Sequence, residues 1–436
     1  MSDHPDSVKR AEGKTPWRAL TAAWLGWCFD GLDGYLYIMV AMPFLQELVG
    51  KAAGVTAAAV RADPALSARA TEQAAAIQAV FFVGWALGGA VFGRLGDRLG
   101  RARTLTLTIV TYAAFTGLSF FATSWWHLLV FRFLAALGIG GEWAAGSALV
   151  SETLHSKHRA WASALLQSGY MVGCILAALT AGWMAHLEPR WVFLVGVLPA
   201  VLTIWIRKAV PEPEQWQKAA GRETPPPVGA IFSKRLRVTT VMTIALTGIA
   251  LTTVWSFLYF VPQAVQRMPE VKSWSPAEVR RLTTNVAVAY FVVNIAGNFF
   301  ATYLAKAVGY RKAFAGLFAA SLACFMLLYR EPLTLGNVYW VTGVTAFFSL
   351  GLFGLFPLYI PPLFPTLVRT LGAGFTYNAG RLMSALGAFF GGIIAVEAGG
   401  PHRAIFWTGL LYVPGLLVGA LCPVPRHEDE TDEVAL

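Results

Sequence analysis

Long apolar stretches separated by short polar segments make up most of the chain. Twelve of them come close to or exceed the roughly 20 residues that an α-helix needs to cross a hydrocarbon core about 30 Å thick. The pattern predicts an all-α membrane protein with twelve transmembrane helices. The predicted spans are 19–45, 74–96, 104–123, 127–150, 160–185, 190–207, 238–264, 283–304, 313–329, 336–361, 371–396 and 404–422.

The longest polar interruption, residues 208–237, contains five prolines and divides the spans six and six. It is predicted to be a linker between two halves of the chain. The predicted domains are an N-terminal tail (1–18), a first six-helix bundle (19–207), the linker (208–237), a second six-helix bundle (238–422) and a C-terminal tail (423–436).

An internal repeat supports this division. A Gly- and Arg-rich block at 93–103 follows the second span, and a decayed copy at 302–312 follows the eighth, which places Gly100 and Gly309 209 residues apart. Arg159 and Arg369, entering the fifth and eleventh spans, lie 210 residues apart. Two landmarks with nearly one offset indicate two parallel repeats of six helices.

Composition and charge agree with a membrane location. Hydrophobic residues make up 56% of the chain and charged residues 13%, whereas soluble proteins carry roughly 25% charged residues. The net charge of +10 does not point to a nucleic-acid partner, because the basic residues lie in short blocks between apolar segments. The four cysteines are widely separated inside apolar segments, so neither a disulfide nor a metal site is expected.

The distribution of Lys and Arg predicts the orientation. Of the 34 basic residues, 22 fall on the side of the two termini and 10 on the opposite side. Because cytoplasmic loops are enriched in Lys and Arg, both termini are expected in the cytoplasm. The expected location is a bacterial inner membrane, with the lipid bilayer as the surrounding partner.

The block Gly93-Arg-Leu-Gly-Asp-Arg-Leu-Gly-Arg-Ala-Arg103 resembles the loop signature of the major facilitator superfamily. Four further stretches, at 17–33, 140–143, 206–216 and 364–381, resemble the sialate/monocarboxylate:proton symporters and the related aromatic-acid:proton symporters. The resemblance implies the major facilitator fold and a gating loop. The loop residues that match are Gly93, Asp97, Arg98, Gly100 and Arg101. The chain departs from the pattern at Ala305, where the second copy of the signature would have its acidic residue, and it is too short for the extra central spans of some sialate permeases.

Ionisable residues inside predicted spans are functional candidates, because charge is costly in hydrocarbon. Asp30 and Asp33 share one face of the first span, and Glu142 lies in the middle third of the fourth. Two carboxylates close together in a partly desolvated cavity raise each other's tendency to hold a proton, so all three are candidates for proton coupling. The alternative is that one aspartate only pairs with an arginine that holds helices together. Arg132, nearer the outer end of span 4, is either structural or part of the coupling.

Arg381, in span 11, is a permanent cation with a forked geometry that suits a carboxylate. It is predicted to bind an acidic substrate, with a structural salt bridge as the alternative. Tyr377 and Asn378 precede it by one turn and should face the same region. Further polar candidates for substrate contact are Asn294, Asn298, Gln167 and Tyr35.

These residues predict a proton-coupled symporter of a small organic acid that works by alternating access, and the resemblance implies that the acid is a monocarboxylate, sialate or aromatic acid. Its partners would be the substrate and the proton, with no other cofactor, and it is expected to act as a monomer. A symporter of a neutral or sugar-like solute and a non-transporting membrane sensor with the same fold are the alternatives. An enzyme is not expected, because the sequence has no nucleophile and base pattern, phosphate loop or metal spacing.

Overall fold

The computed structural model describes residues 5–184, 187–397 and 400–425. Within these ranges the ordered elements are helices and no strand is present, which confirms the all-α class. Residues 1–4 and 426–436, which belong to the two predicted tails, lie outside the described residues.

The helices follow one another with short connections. Their bounds are α1 Pro5–Ala53, α2 Ala57–Ala62, α3 Pro64–Leu99, α4 Arg101–Ser119, α5 Trp125–Thr153, α6 Ser156–Trp183, α7 Val192–Val195, α8 Pro199–Ala209, α9 Glu214–Ala220, α10 Arg237–Gln266, α11 Pro276–Val308, α12 Tyr310–Leu328, α13 Val338–Ser349, α14 Phe356–Tyr359, α15 Arg369–Glu397, α16 Pro401–Thr408 and α17 Tyr412–Leu421. Short 3-10 segments join several of them, including Pro189–Trp191 before α7, Gly351–Leu355 between α13 and α14, and Thr366–Val368 before α15.

Nine of the twelve predicted spans fall mainly on a single helix, and the spans 190–207, 336–361 and 404–422 each cover two successive helices. In the described part of the chain, nine segments are long and apolar enough to cross a membrane, or ten if Pro16–Ile38 and Val40–Ala53, bent by 46° within α1, form one span. The other two predicted spans coincide with α4 and α15.

Helix α3 begins ten residues before the predicted span that it contains. Asp63 accepts hydrogen bonds from the backbone nitrogens of Ala65 (2.8 Å) and Leu66 (3.1 Å), and Pro64 occupies the first helical position. Both features start a helix regardless of hydropathy. The helix is therefore longer than the predicted span at this end, because an apolar window detects only the apolar part of a longer helix.

The two copies of the repeat turn in the same way. Gly100 has φ +106° and ψ 163°, and Gly309 has φ +83° and ψ 160°, a left-handed φ that only glycine adopts without strain. Asp97 lies three residues before Gly100, and Lys306 lies three residues before Gly309. Asp97 in the first copy therefore corresponds to Lys306 in the second. Ala305, the predicted counterpart of the acidic residue, is one position too early.

The chain forms two compact units. Unit 1 contains residues up to 154, 169–226 and 366–375, and unit 2 contains 155–168, 227–365 and residues from 376 onward. The predicted domains place residues 155–168 in the first bundle and 366–375 in the second. In the compact units the assignment is the reverse, with 155–168 in unit 2 and 366–375 in unit 1. The division into two six-helix bundles remains a prediction.

Glycines set the packing in unit 1. A Cβ at Gly140 of α5 would overlap the carbonyl oxygen of Trp85 on α3, and one at Gly88 would overlap that of Leu137. Gly138 contacts α4 in the same manner, since a Cβ there would lie 2.8 Å from the backbone nitrogen of Tyr112. Because these positions have no side chain, helix backbones come into direct contact, which is how small residues stabilise helix pairs in lipid.

Unit 2 has a similar crossing between α11 and the 3-10 segment Gly351–Leu355. A Cβ at Gly351 would lie 2.8 Å from the Cα of Gly297, and one at Gly354 would lie 3.0 Å from the Cβ of Asn298. The Ser163 hydroxyl donates to the Gly354 carbonyl oxygen at 2.6 Å. This hydrogen bond satisfies a backbone acceptor where the regular helix is interrupted.

Replacing Gly140 by Ala should destabilise the fold, because the new methyl group overlaps the Trp85 carbonyl. Overpacking of this kind costs about 1–3 kcal/mol. Gly316→Ala is the matched control, since a Cβ at Gly316 meets open space and Ala favours the helix. The midpoint of thermal unfolding in detergent should fall for Gly140→Ala and stay level or rise for Gly316→Ala. Equal midpoints for the two variants would contradict the packing described for α3 and α5.

Candidate transport site and gate

Asp33 and Arg132 form a two-pronged ion pair in unit 1. Arg132 Nη1 lies 3.2 Å from Asp33 Oδ1, and Nη2 lies 3.1 Å from Oδ2. The Thr116 hydroxyl on α4 donates to Asp33 Oδ1 at 2.7 Å. Asp33 is 2% exposed and Arg132 is fully buried, so each charge compensates the other out of contact with water.

Aromatic rings enclose the Arg132 guanidinium. Its central carbon lies 4.5 Å from the ring centre of Tyr37 and 4.9 Å from that of Phe81. Cation–π contacts of this kind are stronger in a desolvated site. These contacts favour the alternative in which Asp33 on α1 pairs with an arginine, Arg132 on α5, and so holds the two helices together. A coupling role for Asp33 stays a prediction.

Asp30 has a different partner. Its carboxyl group interacts with that of Glu142 on α5, and both residues are fully buried. Gly26, one turn before Asp30 on α1, makes room for the Glu142 carboxylate, which a Cβ at this position would overlap. The sequence placed Asp30 beside Asp33, but the carboxyl pair that forms is Asp30 with Glu142. The i, i+3 spacing defines a shared face of α1, and the residues opposite that face on α5 decide the partners.

Arg381 is held in unit 2 by the two residues one turn before it. Its Nη1 donates to Asn378 Oδ1 at 2.8 Å, and its guanidinium lies 5.0 Å from the ring centre of Tyr377. Arg381 is 3% exposed, and Tyr377 packs on Phe356 of α14 with ring centres 5.7 Å apart. The guanidinium is thus oriented by side chains of its own helix, as the i−3 and i−4 spacing predicts.

The remaining polar candidates are divided between the units. Asn294, Asn298 and Gln167 are buried in unit 2, whereas Tyr35 is half-buried in unit 1. Both amide atoms of Asn298, and the amide oxygens of Asn294 and Gln167, have no hydrogen-bond partner among the described residues. Buried amides normally find partners, so these groups are suited to bind water or a polar ligand.

Asp97 caps the N-terminus of α15. Its Oδ1 accepts from the backbone nitrogen of Thr370 and its Oδ2 from that of Leu371, both at 3.0 Å. Gly93 lets this segment approach, since a Cβ there would lie 2.9 Å from the Thr370 carbonyl oxygen. A carboxylate at a helix N-terminus is stabilised by free N–H groups and by the helix dipole. The contact holds residues 366–375 against the predicted gating loop.

Arg101 adds charge pairs to the same contact. Its Nε and Nη2 donate to the two carboxylate oxygens of Glu152 at 2.8 and 2.7 Å, and Nη2 also donates to the Thr366 carbonyl oxygen at 2.6 Å. Arg101 Nη1 lies 3.3 Å from Asp97 Oδ1. Arg369 Nη1, at the start of α15, lies 3.2 Å from Glu152 Oε1. Arg98, the remaining charged residue of the predicted loop, is exposed.

Glu212 adds a further carboxylate to the contacts of the predicted gating loop. Its carboxylate accepts from the backbone nitrogens of Arg101 (2.6 Å), Ala102 (3.2 Å) and Arg103 (2.9 Å), which caps α4. It packs on Gly100, where any Cβ would overlap it. Sequence reasoning did not predict Glu152, Arg369 or Glu212 as functional. The sequence feature that could have identified Glu212 was the stretch 206–216, which contains this residue and was used only for its resemblance to a transporter family.

No metal or cofactor chemistry is apparent in the described ranges. The four cysteines are buried and unpaired with one another, and no three His, Cys, Asp or Glu side chains of the described residues are grouped to hold a metal ion.

The family model of the Major Facilitator Superfamily matches residues 23–359 of the chain. The chain belongs to this superfamily. The sialic acid transporter NanX of Escherichia coli K12 is 28% identical over 371 residues, covering 83% of each chain. The probable 4-methylmuconolactone transporter of Cupriavidus pinatubonensis is 28% identical over 401 residues, covering 88% of this chain and 84% of the relative.

A solved structure supports the fold. The proton:xylose symporter XylE bound to 6-bromo-6-deoxy-D-glucose matches with a TM-score of 0.73 at 15% identity, covering 95% of this chain and 97% of XylE. At this identity the likeness concerns the fold alone. The superfamily consists of membrane transporters, so the chain is an integral membrane protein and not an enzyme, which confirms both predictions.

Removing the Asp97 carboxylate should slow transport without preventing insertion or folding. Asp97→Ala loses the two hydrogen bonds to the N-terminus of α15, each worth about 1.5–3 kcal/mol for a charged acceptor. Asp63→Ala is the matched control, because the Asp63 carboxylate also caps a helix N-terminus but accepts hydrogen bonds only from the helix that it starts. Initial uptake rates at equal expression distinguish them, and a normal rate in Asp97→Ala would remove the gating role.

Proposed function

We propose that this protein is a secondary active transporter that imports a small organic acid together with a proton. The observation that supports it most directly is the buried carboxyl pair of Asp30 and Glu142. The same proposal includes alternating access, a bacterial inner membrane location, cytoplasmic termini and a monomeric transporter.

Proton coupling follows from the chemistry of that pair. Two carboxylates in contact and away from water repel each other when both are ionised, so the pair favours holding at least one proton. Asp33 differs because Arg132 neutralises it in the ionised form. The proton that crosses the membrane is therefore assigned to Asp30 and Glu142, with Asp33 and Arg132 forming the fixed ion pair beside them.

The substrate class rests on Arg381 and on the relatives. The guanidinium offers two parallel donors that match a carboxylate, and its neighbours Asn378 and Tyr377 keep it oriented. The names of two relatives, a sialic acid transporter and a probable 4-methylmuconolactone transporter, are those of carriers of organic solutes. Arg381 favours an acid over the neutral or sugar-like solute of the alternative.

Alternating access would use the gate described in unit 1. The contacts of Asp97, Arg101 and Glu152 with residues 366–375 represent one end state, and their release would represent the other. Helix α15 begins at this contact and continues to Arg381, roughly 18 Å further along its axis at 1.5 Å per residue. A movement of α15 would therefore shift the proposed substrate ligand and the gate together.

The decisive experiment is uptake into proteoliposomes with an imposed inward proton gradient. Monocarboxylates, aromatic acids and sialic acid form the panel, and at least one should accumulate above its external concentration. Collapse of the gradient by an uncoupler should abolish this accumulation. Equal final levels with and without the gradient for every compound would overturn the symport proposal.

Amide replacement should separate the roles of the carboxyl groups. Asp30→Asn and Glu142→Gln should each abolish accumulation but keep substrate binding and counterflow exchange, because the pair loses its exchangeable proton. Asp33→Asn should instead lower the thermal stability by about 3–5 kcal/mol, since Arg132 would remain buried without its counter-charge. Glu72→Gln, at an exposed carboxylate, is the control. Normal accumulation by both Asp30→Asn and Glu142→Gln would place the coupling site elsewhere.

Arg381→Lys should weaken binding of the transported acid more than about tenfold, roughly 1.4 kcal/mol. Lys keeps the charge but loses the fork that a carboxylate engages, whereas a simple structural charge pair would largely survive. The measurement compares the acid with its uncharged amide. The wild type should strongly prefer the acid and the variant should lose much of that preference. Equal affinity of the wild type for acid and amide would support the neutral-solute alternative.

A further inference from the structure

Tyr112 of α4 is a fully buried phenol whose hydroxyl has no hydrogen-bond partner among the described residues. A buried donor without an acceptor costs free energy, so a hydroxyl in this state generally has a changing or unrecorded partner. None of the residues assigned to transport so far explains why a phenol stands at this position.

The surroundings of Tyr112 are acidic. The ionisable side chains near it are those of Asp30, Glu142, Asp33 and Cys28. Asp30 and Glu142 are the members of the carboxyl pair, and Asp33 belongs to the ion pair with Arg132. Helices α1 and α5 thus place both acidic sites of unit 1 around one phenol.

Thr116 lies one turn further along the same face of α4. Its hydroxyl donates to Asp33 Oδ1 at 2.7 Å and lies 3.4 Å from Arg132 Nη1. Helix α4 therefore presents one hydroxyl to the ion pair, and on the same face it carries Tyr112, which packs against Gly138, one turn before Glu142 on α5.

The position of Tyr112 is fixed by α5. A Cβ at Gly138 would lie 2.8 Å from the Tyr112 backbone nitrogen and 3.1 Å from its Cβ. Because Gly138 has no side chain, α4 lies directly against the helix that contains both Arg132 and Glu142. The phenol is consequently held between fixed neighbours.

We propose that Tyr112 is a positioning residue for proton coupling: its hydroxyl donates to the Asp30 and Glu142 pair when that pair is deprotonated and, with Thr116, links the pair to the Asp33–Arg132 ion pair. This inference rests on the proposed symport function. A phenol suits the task because it remains a donor at neutral pH and does not compete for the transported proton. When the pair takes up a proton, the carboxyl group no longer needs the phenol as a donor, and the link between the two sites weakens.

Tyr112→Phe removes the hydroxyl and keeps the ring. Without a donor that stabilises the charged carboxylate, the pair should hold its proton to higher pH. The pH of half-maximal uptake should then rise by about one unit, the equivalent of one hydrogen bond to a charged group. Gradient-driven accumulation should fall, while substrate affinity and counterflow exchange change by less than about threefold.

Tyr303→Phe is the matched control, since Tyr303 is 70% exposed on α11. Its pH profile should equal that of the wild type. Thr116 gives a second test that does not depend on the folding of Tyr112→Phe. Thr116→Val, which lacks the hydroxyl, should change the pH profile, and Thr116→Ser, which retains it, should restore the wild-type profile.

Two results would overturn the inference. A wild-type pH profile and accumulation in folded Tyr112→Phe would do so, as would identical profiles for Thr116→Val and Thr116→Ser. Both leave the proposed function intact if the wild type shows proton-driven uptake. Absence of proton-driven uptake in the wild type overturns the proposed function, and this inference with it.

Discussion

A charge removed from water must meet an opposite charge, a helix terminus or a proton, and unit 1 depends on this constraint throughout. The Asp33–Arg132 pair uses an opposite charge. Asp97 uses the N-terminus of α15. Asp30 and Glu142 interact with each other, and the proposed function assigns the transported proton to this pair. Under that proposal, the third arrangement differs from the other two because it exchanges a proton with the surroundings.

Much of the fold could be predicted because the signal for a transmembrane helix is local. About twenty apolar residues in a row are sufficient, so nine of the twelve predicted spans fall mainly on a single helix and the other three on two successive helices. Helix ends were less predictable, as the early start of α3 shows, because capping by Asp63 and Pro64 determines that end. The exchange of residues 155–168 and 366–375 between the compact units could not be predicted, since it depends on contacts far apart in the chain.

The sequence singled out several charged residues of the candidate site, but it did not predict which of these residues contact each other. Rare charges inside apolar spans identified Asp30, Asp33 and Glu142. Which carboxylate contacts which residue depends on the facing helix, and no spacing along α1 contains that information. Glu152 and Glu212 were missed for another reason: they lie at helix ends and in a polar segment, where charged residues usually contact water. Only the folded chain places them on the arginine and the helix terminus that they bind.

The loops at Gly100 and Gly309 have the same backbone turn. The residue three positions before the glycine is negatively charged in the first loop and positively charged in the second. Lys306 occupies the position of Asp97, and an ammonium group cannot accept hydrogen bonds from helix N–H groups as a carboxylate does. The helix cap formed by Asp97 is therefore an electrostatic latch that Lys306 cannot reproduce in the second copy. Under the proposed alternating access, a latch worth about 2.8 kcal/mol would favour the latched state by about a hundredfold over an otherwise equal unlatched one. A difference of one residue between two equivalent turns would then give the empty carrier a preferred resting side.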